Sequence, residues 1–135
     1  MLVVDASLAV ELLLDPAGSE TESPFSQHEL VAPPLLWSEA PSVLHELRFR
    51  GEISDELADQ ALQRLLDSTV PIREVRPNDL TATAWQLATE LGWAKTYDAE
   101  YIATAQLLGC KLVTIDNCLR GGTERLGIVI TSADL

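Results

Sequence analysis

Short apolar runs alternate along the chain with longer stretches in which apolar residues recur at helical spacing. The short runs predict strands at residues 2–5, 30–32, 70–75, 111–115 and 127–131. The longer stretches predict helices at residues 7–14, 35–50, 54–68, 77–91 and 97–108. Because strands and helices alternate throughout, we expect an α/β fold in which helices cover both faces of a parallel sheet.

Prolines and glycines set the expected ends of several elements. Pro41 lies inside the second predicted helix, so the regular part of that helix is expected to begin nearer Ser38, or to kink there. Pro77 suits the first turn of the fourth predicted helix. The pair Gly121-Gly122 predicts a short turn before the last strand.

The remaining segments suggest one compact unit. Residues 19–28 are polar and acidic, and they predict a weak helix or a mobile loop. The chain shows no internal repeat, low-complexity tract or linker, so residues 1–135 are expected to form a single domain. Trp85 and Trp93 are expected in the core or in an interface.

The composition indicates which cellular compartment and which class of binding partner to expect. The formal charge is −12, from 21 acidic and nine basic residues, which argues against a generally basic surface that coats nucleic acid. Metal ions or local arginine clusters would still allow a nucleic-acid enzyme. Two cysteines make no disulfide framework, and reduced thiols are expected. Asp5 and Glu11 interrupt the first apolar run, which also lacks a basic flank, so we expect a cytoplasmic protein without a signal peptide or membrane span.

Two of the predicted strands end directly in an aspartate. Asp5 follows the first strand and Asp116 follows the fourth. In an open α/β sheet, ligands bind beyond the carboxyl ends of the strands, where these two side chains are expected to meet. Each aspartate has an alternative interpretation as a cap or turn residue for the element that follows it.

Two further acids lie on helix faces that lean towards the core. Glu39 falls on the flank of an apolar stripe, where a carboxylate either meets a partner or escapes to solvent. Asp98 points in the same direction as Tyr101 and Ile102, whereas Glu100 points nearly the opposite way and is expected to face solvent. The alternative for Asp98 is a preference for the helix N-terminus, whose dipole favours carboxylates.

Taken together, the four acids predict a carboxylate cluster. Such a cluster needs cations, because like charges raise one another's pKa. Oxygen-only ligands select hard divalent ions, Mg²⁺ or Mn²⁺, rather than Zn²⁺. An ion held in this way would activate water and stabilise the charge that develops on a phosphodiester. No Ser-His-Asp or Cys-His constellation and no Gly-rich phosphate loop offers a competing chemistry.

Three stretches carry a family resemblance: "VVDAS" at residues 3–7, "WSEAPSVLHELRFRGEIS" at 37–54, and "TYDAEYIATAQLLGCKLVTIDNCLR" at 96–120. Over nearly the whole length, the chain resembles the PIN-domain ribonucleases, in particular the VapC-like toxins of prokaryotic toxin–antitoxin pairs. The resemblance implies a single PIN-like domain with a five-stranded parallel sheet. It also implies an endoribonuclease that hydrolyses RNA with Mg²⁺ or Mn²⁺, by in-line attack of metal-activated water.

The resemblance also assigns roles to individual residues. Asp5, Asp98 and Asp116 would be metal ligands, and Glu39 a ligand or an orienter of water. Small polar residues would hydrogen-bond the ligands or metal-bound water, namely Ser7, Thr114 and Asn117. Three arginines are candidates for RNA contacts, Arg48, Arg50 and Arg120, with solvated helix-end charges as the alternative. The chain departs from many relatives at Pro41 and Ser42, which affects the expected pose of Glu39.

Family members usually form homodimers and are inhibited by a small VapB-like antitoxin, whose tail occupies a groove beside the acidic site. Candidate groove residues here are Trp37, Leu44, Leu47 and Phe49, with residues 54–68 opposite; ordinary core is the preferred interpretation for the leucines. One rival function is a metal-dependent phosphatase or receiver-type domain, but Asp-x-Asp after the first strand and a strand-end lysine are missing. The other rival is a non-catalytic PIN-like scaffold, which would predict a broken acidic set.

Overall fold

The computed structural model of the protein describes residues 1–15 and 23–135. Five strands lie in these residues: β1 Leu2–Val4, β2 Leu30–Ala32, β3 Ile72–Glu74, β4 Lys111–Val113 and β5 Val129–Ile130. The α-helices are α1 Ala6–Leu14, α2 Leu36–Phe49, α3 Asp55–Leu66, α4 Leu80–Leu91, α5 Tyr97–Leu108 and α6 Asn117–Gly122. No helix in the described residues has both the length and the apolar character needed to cross a membrane.

The five strands form one sheet in the order β3-β2-β1-β4-β5, and every neighbouring pair is parallel. Helices cover the sheet, and the central strands are consequently apolar on both faces: Val3 and Val4 of β1 are fully buried, as is Leu112 of β4. The predicted five-stranded parallel α/β fold is therefore confirmed.

The strand order creates a crevice between β1 and β4. From β1 the chain adds β2 and β3 on one side, whereas β4 and β5 lie on the other, so the direction of winding reverses between β1 and β4. Ligands of open α/β sheets bind at such a reversal, beyond the carboxyl ends of the strands. The register pairs Val4 with Val113, which brings the next residues, Asp5 and Thr114, side by side at this edge.

Helix α2 runs without interruption through Pro41, so the prediction that its regular part begins near Ser38 is wrong. The first turn is already closed by the bond from the Leu36 amide to Pro33. Leu36 and Ala40 are fully buried, and their packing outweighs the single backbone hydrogen bond that a proline removes.

Strands β1, β3, β4 and β5 are shorter than predicted, and two helix boundaries also differ from the prediction. Helix α4 begins at Leu80 rather than at Pro77, because the Pro77 carbonyl closes a turn with the Leu80 amide and Asp79 adopts a left-handed conformation at φ 66°. The pair Gly121-Gly122 ends α6 instead of forming a turn, since a capping aspartate starts that helix and overrides the low helix propensity of glycine.

The acidic segment predicted at residues 19–28 lies partly outside the described residues; residues 24–27 of it form turns. Trp85 is 70% exposed on α4, so of its two expected places the core is excluded and the interface stays a prediction. Trp93 is half-buried and packs against the core, as expected. Leu44 is buried, which confirms the core interpretation for that residue.

Candidate active site

Asp5 is a buried carboxylate held by its neighbours on both oxygens. It ends β1 and caps α1, where Oδ1 accepts hydrogen bonds from the Leu8 amide at 3.0 Å and from the Ser7 hydroxyl at 2.7 Å. The Thr114 hydroxyl donates to Oδ2. Asp5 is only 5% exposed, so these bonds compensate a carboxylate that would otherwise be costly to bury.

Asp116 caps α6 in the same way and remains at the surface. Its Oδ1 accepts from the amides of Cys118 at 2.8 Å and Leu119 at 3.2 Å. Its own amide donates to the Thr114 hydroxyl oxygen at 2.9 Å, so Thr114 bridges Asp5 and Asp116. The capping interpretation is therefore correct for both aspartates. In Asp116, capping engages Oδ1 and leaves Oδ2 without a hydrogen bond from the described residues.

Glu39 has a partner deep in the protein, so it is not the freely solvated edge glutamate of the alternative interpretation. The hydroxyl of Tyr101, which is 1% exposed, donates to Glu39 Oε1 at 2.8 Å. Burial raises the pKa of Glu39, the Tyr101 hydrogen bond lowers it, and the negative charges of Asp98 and Asp5 raise it further. Burial and Glu39 together raise the pKa of Tyr101, so its hydroxyl stays protonated and acts as a donor.

Asp98 lies in the first turn of α5, consistent with the helix-dipole alternative as well as with the cluster. Asp98 as a whole is exposed, but protein atoms surround its carboxyl group. Burial is therefore the main cause of its raised pKa, ahead of the charges of Asp116 and Asp5.

Glu100 was predicted to face solvent, and this is wrong. It is half-buried, and its pKa is raised by burial against the opposing effect of Arg76.

The acids surround an open cleft of about 450 Å³ at the carboxyl edge of the sheet. Glu39, Asp98 and Asp116 line this cleft together with Cys118, Leu119 and the connection from α4 to α5. Asp5 lies behind the lining, close enough for its charge to raise the pKa of both Glu39 and Asp98. The charges of Asp5 and Asp98 therefore act on Glu39, and those of Asp116 and Asp5 act on Asp98, which connects the four carboxylates electrostatically.

The cleft has the chemistry of a divalent-cation site without a preassembled coordination shell. Nowhere in residues 1–15 and 23–135 are three His, Cys, Asp or Glu side chains gathered around one ion position. All four donors are oxygen atoms, and none belongs to any of the ion pairs formed in the described part of the chain. Such a set fits a hard ion such as Mg²⁺ or Mn²⁺.

The other residues singled out from the sequence differ in their exposure and in their partners. Asn117 is an exposed residue at the start of α6, and within the described residues its side chain makes no hydrogen bond. Two of the arginines form surface ion pairs, Arg48 with Asp55 at 2.9 Å and Arg50 with Glu46 at 2.5 Å. Arg120 is exposed on α6. Both cysteines are free thiols, as expected.

Sequence reasoning missed several residues around the cleft. Tyr101 was counted as part of the apolar face of its helix, although its spacing of three from Asp98 already places a hydroxyl beside the acids. Trp93, Lys95 and Tyr97 line the cleft but lie in or beside a connection, where periodicity gives no signal.

Comparison with known proteins gives one consistent result. The family profile described as PIN domain matches residues 2–120. A VapC ribonuclease of Mycobacterium bovis and ribonuclease VapC9 of Mycobacterium tuberculosis are each 33% identical over 119 residues, which cover 86% of this chain and 86% of each relative. The crystal structure of PAE2754 from Pyrobaculum aerophilum superposes with a TM-score of 0.73 at 24% identity, covering 98% of this chain and 90% of that one. This structural likeness supports the fold.

Proposed function

This protein belongs to the PIN-domain family, and from that premise we propose that it is an endoribonuclease that hydrolyses RNA phosphodiester bonds with Mg²⁺ or Mn²⁺. The observation that carries the proposal is the acidic cleft, in which four carboxylates interact and no ion pair of the described residues neutralises them. The relatives named VapC ribonucleases support the same activity.

The ion would be held by Asp98 and by the outer oxygen of Asp116, with Asp5 behind them, and Glu39 would orient water beside it. When bound, such an ion lowers the pKa of a water ligand and stabilises charge that develops on the phosphoryl group. Oxygen ligands are the preferred partners of both Mg²⁺ and Mn²⁺.

The side chains of the protein supply orientation and proton transfer. Ser7 and Thr114 fix the Asp5 carboxylate, and the Thr114 bridge sets the position of Asp116 relative to it. Tyr101 holds one oxygen of Glu39, which leaves Oε2 available to orient the attacking water and to accept its proton. The raised pKa of Glu39 makes its carboxylate a stronger base than an exposed glutamate.

The proposed biological setting is a toxin–antitoxin pair in the cytoplasm, in which this chain is the toxin and acts as a homodimer. A small VapB-like antitoxin would inhibit it by placing a basic side chain among the carboxylates, because arginine binds carboxylates through paired hydrogen bonds. Phe49 is 85% exposed at the end of α2 and offers an apolar anchor for such a partner, whereas Trp37, at the start of the same helix, and Leu47 are half-buried. Arg120 on α6, with Arg48 and Arg50, would contribute charge towards RNA.

The test is cleavage of a mixed-sequence RNA pool with Mg²⁺ or Mn²⁺, with and without EDTA, by the wild type and by Asp98→Asn. A matched control is Asp59→Asn, which removes the same charge from the exposed face of α3. We expect cleavage by the wild type and the control only, and none in EDTA. Cleavage that survives both EDTA and Asp98→Asn contradicts the mechanism, and RNA binding without cleavage favours the scaffold function.

A further inference from the structure

The chain has nine basic residues to meet a polyanionic substrate, and all nine lie in the described residues. Most of them are engaged away from the cleft. Three arginines form surface ion pairs: Arg48, Arg50 and Arg73. Two bases donate to backbone carbonyls, Arg64 to Leu13 at 2.7 Å and Lys111 to Gly127.

The remaining four bases differ in what surrounds them. The charge of Arg76 opposes the burial that raises the pKa of Glu100. The pKa of Asp134 is lowered mainly by the backbone hydrogen bond from Thr131, and the charge of Arg120 adds to this. Arg125 lines a separate depression beside Glu124. Lys95 alone among the nine lines the acidic cleft, and it forms no ion pair or side-chain hydrogen bond with the described residues.

Lys95 lies between two aromatic residues that line the same cleft. The connection from α4 to α5 places Trp93, Lys95 and Tyr97 at alternate positions, and we call these three residues the binding wall. Trp93 is half-buried and lies against α6, since a Cβ added at Gly122 would be 3.7 Å from its Cζ2. Tyr97 is 53% exposed, so its ring is available to a ligand.

We propose that the binding wall holds unpaired RNA across the cleft, with Lys95 on a phosphate that flanks the scissile one and Tyr97 stacked on an adjacent base. This inference rests on the proposed ribonuclease function and adds the residues that position its substrate. Lysine binds phosphate as a point charge, and aromatic rings stack on unpaired bases of any sequence.

The acidity of the protein explains why stacking is useful here. At a net charge of −12, general electrostatic attraction cannot hold RNA, so affinity must come from local contacts. Stacking is insensitive to the surrounding negative charge, and one lysine beside three cleft acids offsets repulsion where the backbone passes. A base-paired strand presents no free base face to Tyr97, and therefore unpaired RNA is the expected substrate.

The experiment compares the only two lysines of the chain. Lys95→Gln removes the cleft charge, whereas Lys111→Gln removes a matched charge at the opposite edge of the sheet. Tyr97→Leu removes the ring and Tyr97→Phe retains it. Each full-length variant is assayed for steady-state cleavage of a single-stranded RNA oligonucleotide, and in EDTA for binding to it by fluorescence anisotropy over a range of salt concentrations. Circular dichroism melting verifies that each variant is folded.

For Lys95→Gln we expect KM and Kd to rise about tenfold with kcat changed little, and the salt dependence of log Kd to become shallower by about 0.7. Tyr97→Leu should weaken binding about tenfold at an unchanged salt slope, and Tyr97→Phe should restore it. Lys111→Gln should behave as wild type.

If the wild type cleaves and binds RNA while Lys95→Gln and Tyr97→Leu match Lys111→Gln, the proposed role of the binding wall is refuted and the proposed nuclease function is not. If the wild type binds RNA through the wall without cleaving, the proposed function fails and the wall stands; if it neither binds nor cleaves, both fail.

Discussion

The sheet has an amino edge, formed by the amino ends of its strands, and a carboxyl edge, formed by their carboxyl ends. Acidic side chains at these two edges are in opposite electrostatic states. At the amino edge, Glu29 precedes β2 and pairs with Arg73 of β3 at 2.7 Å, and this hydrogen bond and charge lower the pKa of Glu29. At the carboxyl edge, burial and neighbouring carboxylates raise the pKa of Glu39 and Asp98, and the partners are hydroxyl and amide groups. At the amino edge Arg73 neutralises Glu29, whereas no ion pair of the described residues neutralises the acids at the carboxyl edge.

This difference distinguishes acids that are paired within the described residues from acids that are not. A carboxylate that is paired within the chain gains stability from its charge. Carboxylates that raise one another's pKa cost stability until something binds them, which is typical of sites selected for a ligand or a reaction.

The largest expected effect is on catalysis. Asp116→Asn should lower kcat/KM for RNA by about 100-fold, because losing one carboxylate removes several kcal/mol of transition-state stabilisation. Glu29→Gln at the amino edge should leave the rate unchanged. Single-turnover cleavage of a labelled oligonucleotide measures both, and equal rates for the two variants would refute the functional difference between the edges.

The next effect is stabilisation by the ion itself. Saturating Mg²⁺, at about 100 times its Kd, should raise the free energy of unfolding by about 2.7 kcal/mol. The increase should be largely lost in Asp98→Asn and retained in Glu29→Gln. Thermal melts in MgCl₂ and in NaCl of equal ionic strength measure it. A shift of the same size in all three proteins would mean that the ion acts outside the cleft.

A smaller effect is expected from the hydroxyl that supports Glu39. Tyr101→Phe removes the donor to Oε1, and we expect about tenfold slower cleavage with a loss of about 1 kcal/mol of stability. The two readouts separate positioning from folding, provided that activity is measured well below the melting temperature. An unchanged kcat would show that Glu39 reaches its working position without Tyr101.

The smallest expected effect is on the melting temperature, which removal of one carboxylate should shift in opposite directions at the two edges. Because the pKa of Glu39 is raised in the folded state, protonation stabilises the fold below about pH 4.5, and this stability is lost as pH rises through the folded-state pKa. Glu39→Gln in EDTA should therefore raise the melting temperature at pH 7, by about 2 °C, and have little effect at pH 4.

The reference variant should do the reverse. The lowered pKa of Glu29 means that its charge stabilises the fold above about pH 4.5, and that this contribution is lost as pH falls through the folded-state pKa. Glu29→Gln should therefore lower the melting temperature slightly at pH 7, less so in high salt, because the pair is exposed. Shifts of the same sign at both edges would contradict the comparison.

Much of the fold followed from the sequence, because apolar runs at strand spacing and helical stripes are local signals. Strand β2 and helix α5 have the predicted bounds. The errors occur where tertiary contacts or turn geometry outweigh local preference. The Pro77 carbonyl closes a turn, so α4 starts after it, and Gly122 is helical because Asp116 caps the start of α6. Neither the left-handed Asp79 nor the exposure of Trp85 has a signal in the apolar pattern.

The candidate site was predictable only in part for the same reason. Asp5 and Asp116 could be identified because each follows an apolar strand, Asp5 directly after β1 and Asp116 three residues after the end of β4, and parallel strands bring their carboxyl ends together. The half-burial of Glu100 and the position of Lys95 depend on how α5 packs and on the path of a connection. The direction of a residue on an isolated helix does not contain that information.

The pairing of β1 with β4 also determines when the cleft can form during folding. These strands are neighbours in the sheet but lie more than a hundred residues apart in the chain, so their contact closes a long loop and is expected late in folding. Asp5 gains the Thr114 hydroxyl, and a second acid beside it, only at that step. A chain that ends before Lys111 therefore carries three of the four acids, Asp5, Glu39 and Asp98, but lacks Asp116 and the Thr114 hydroxyl that bridges it to Asp5.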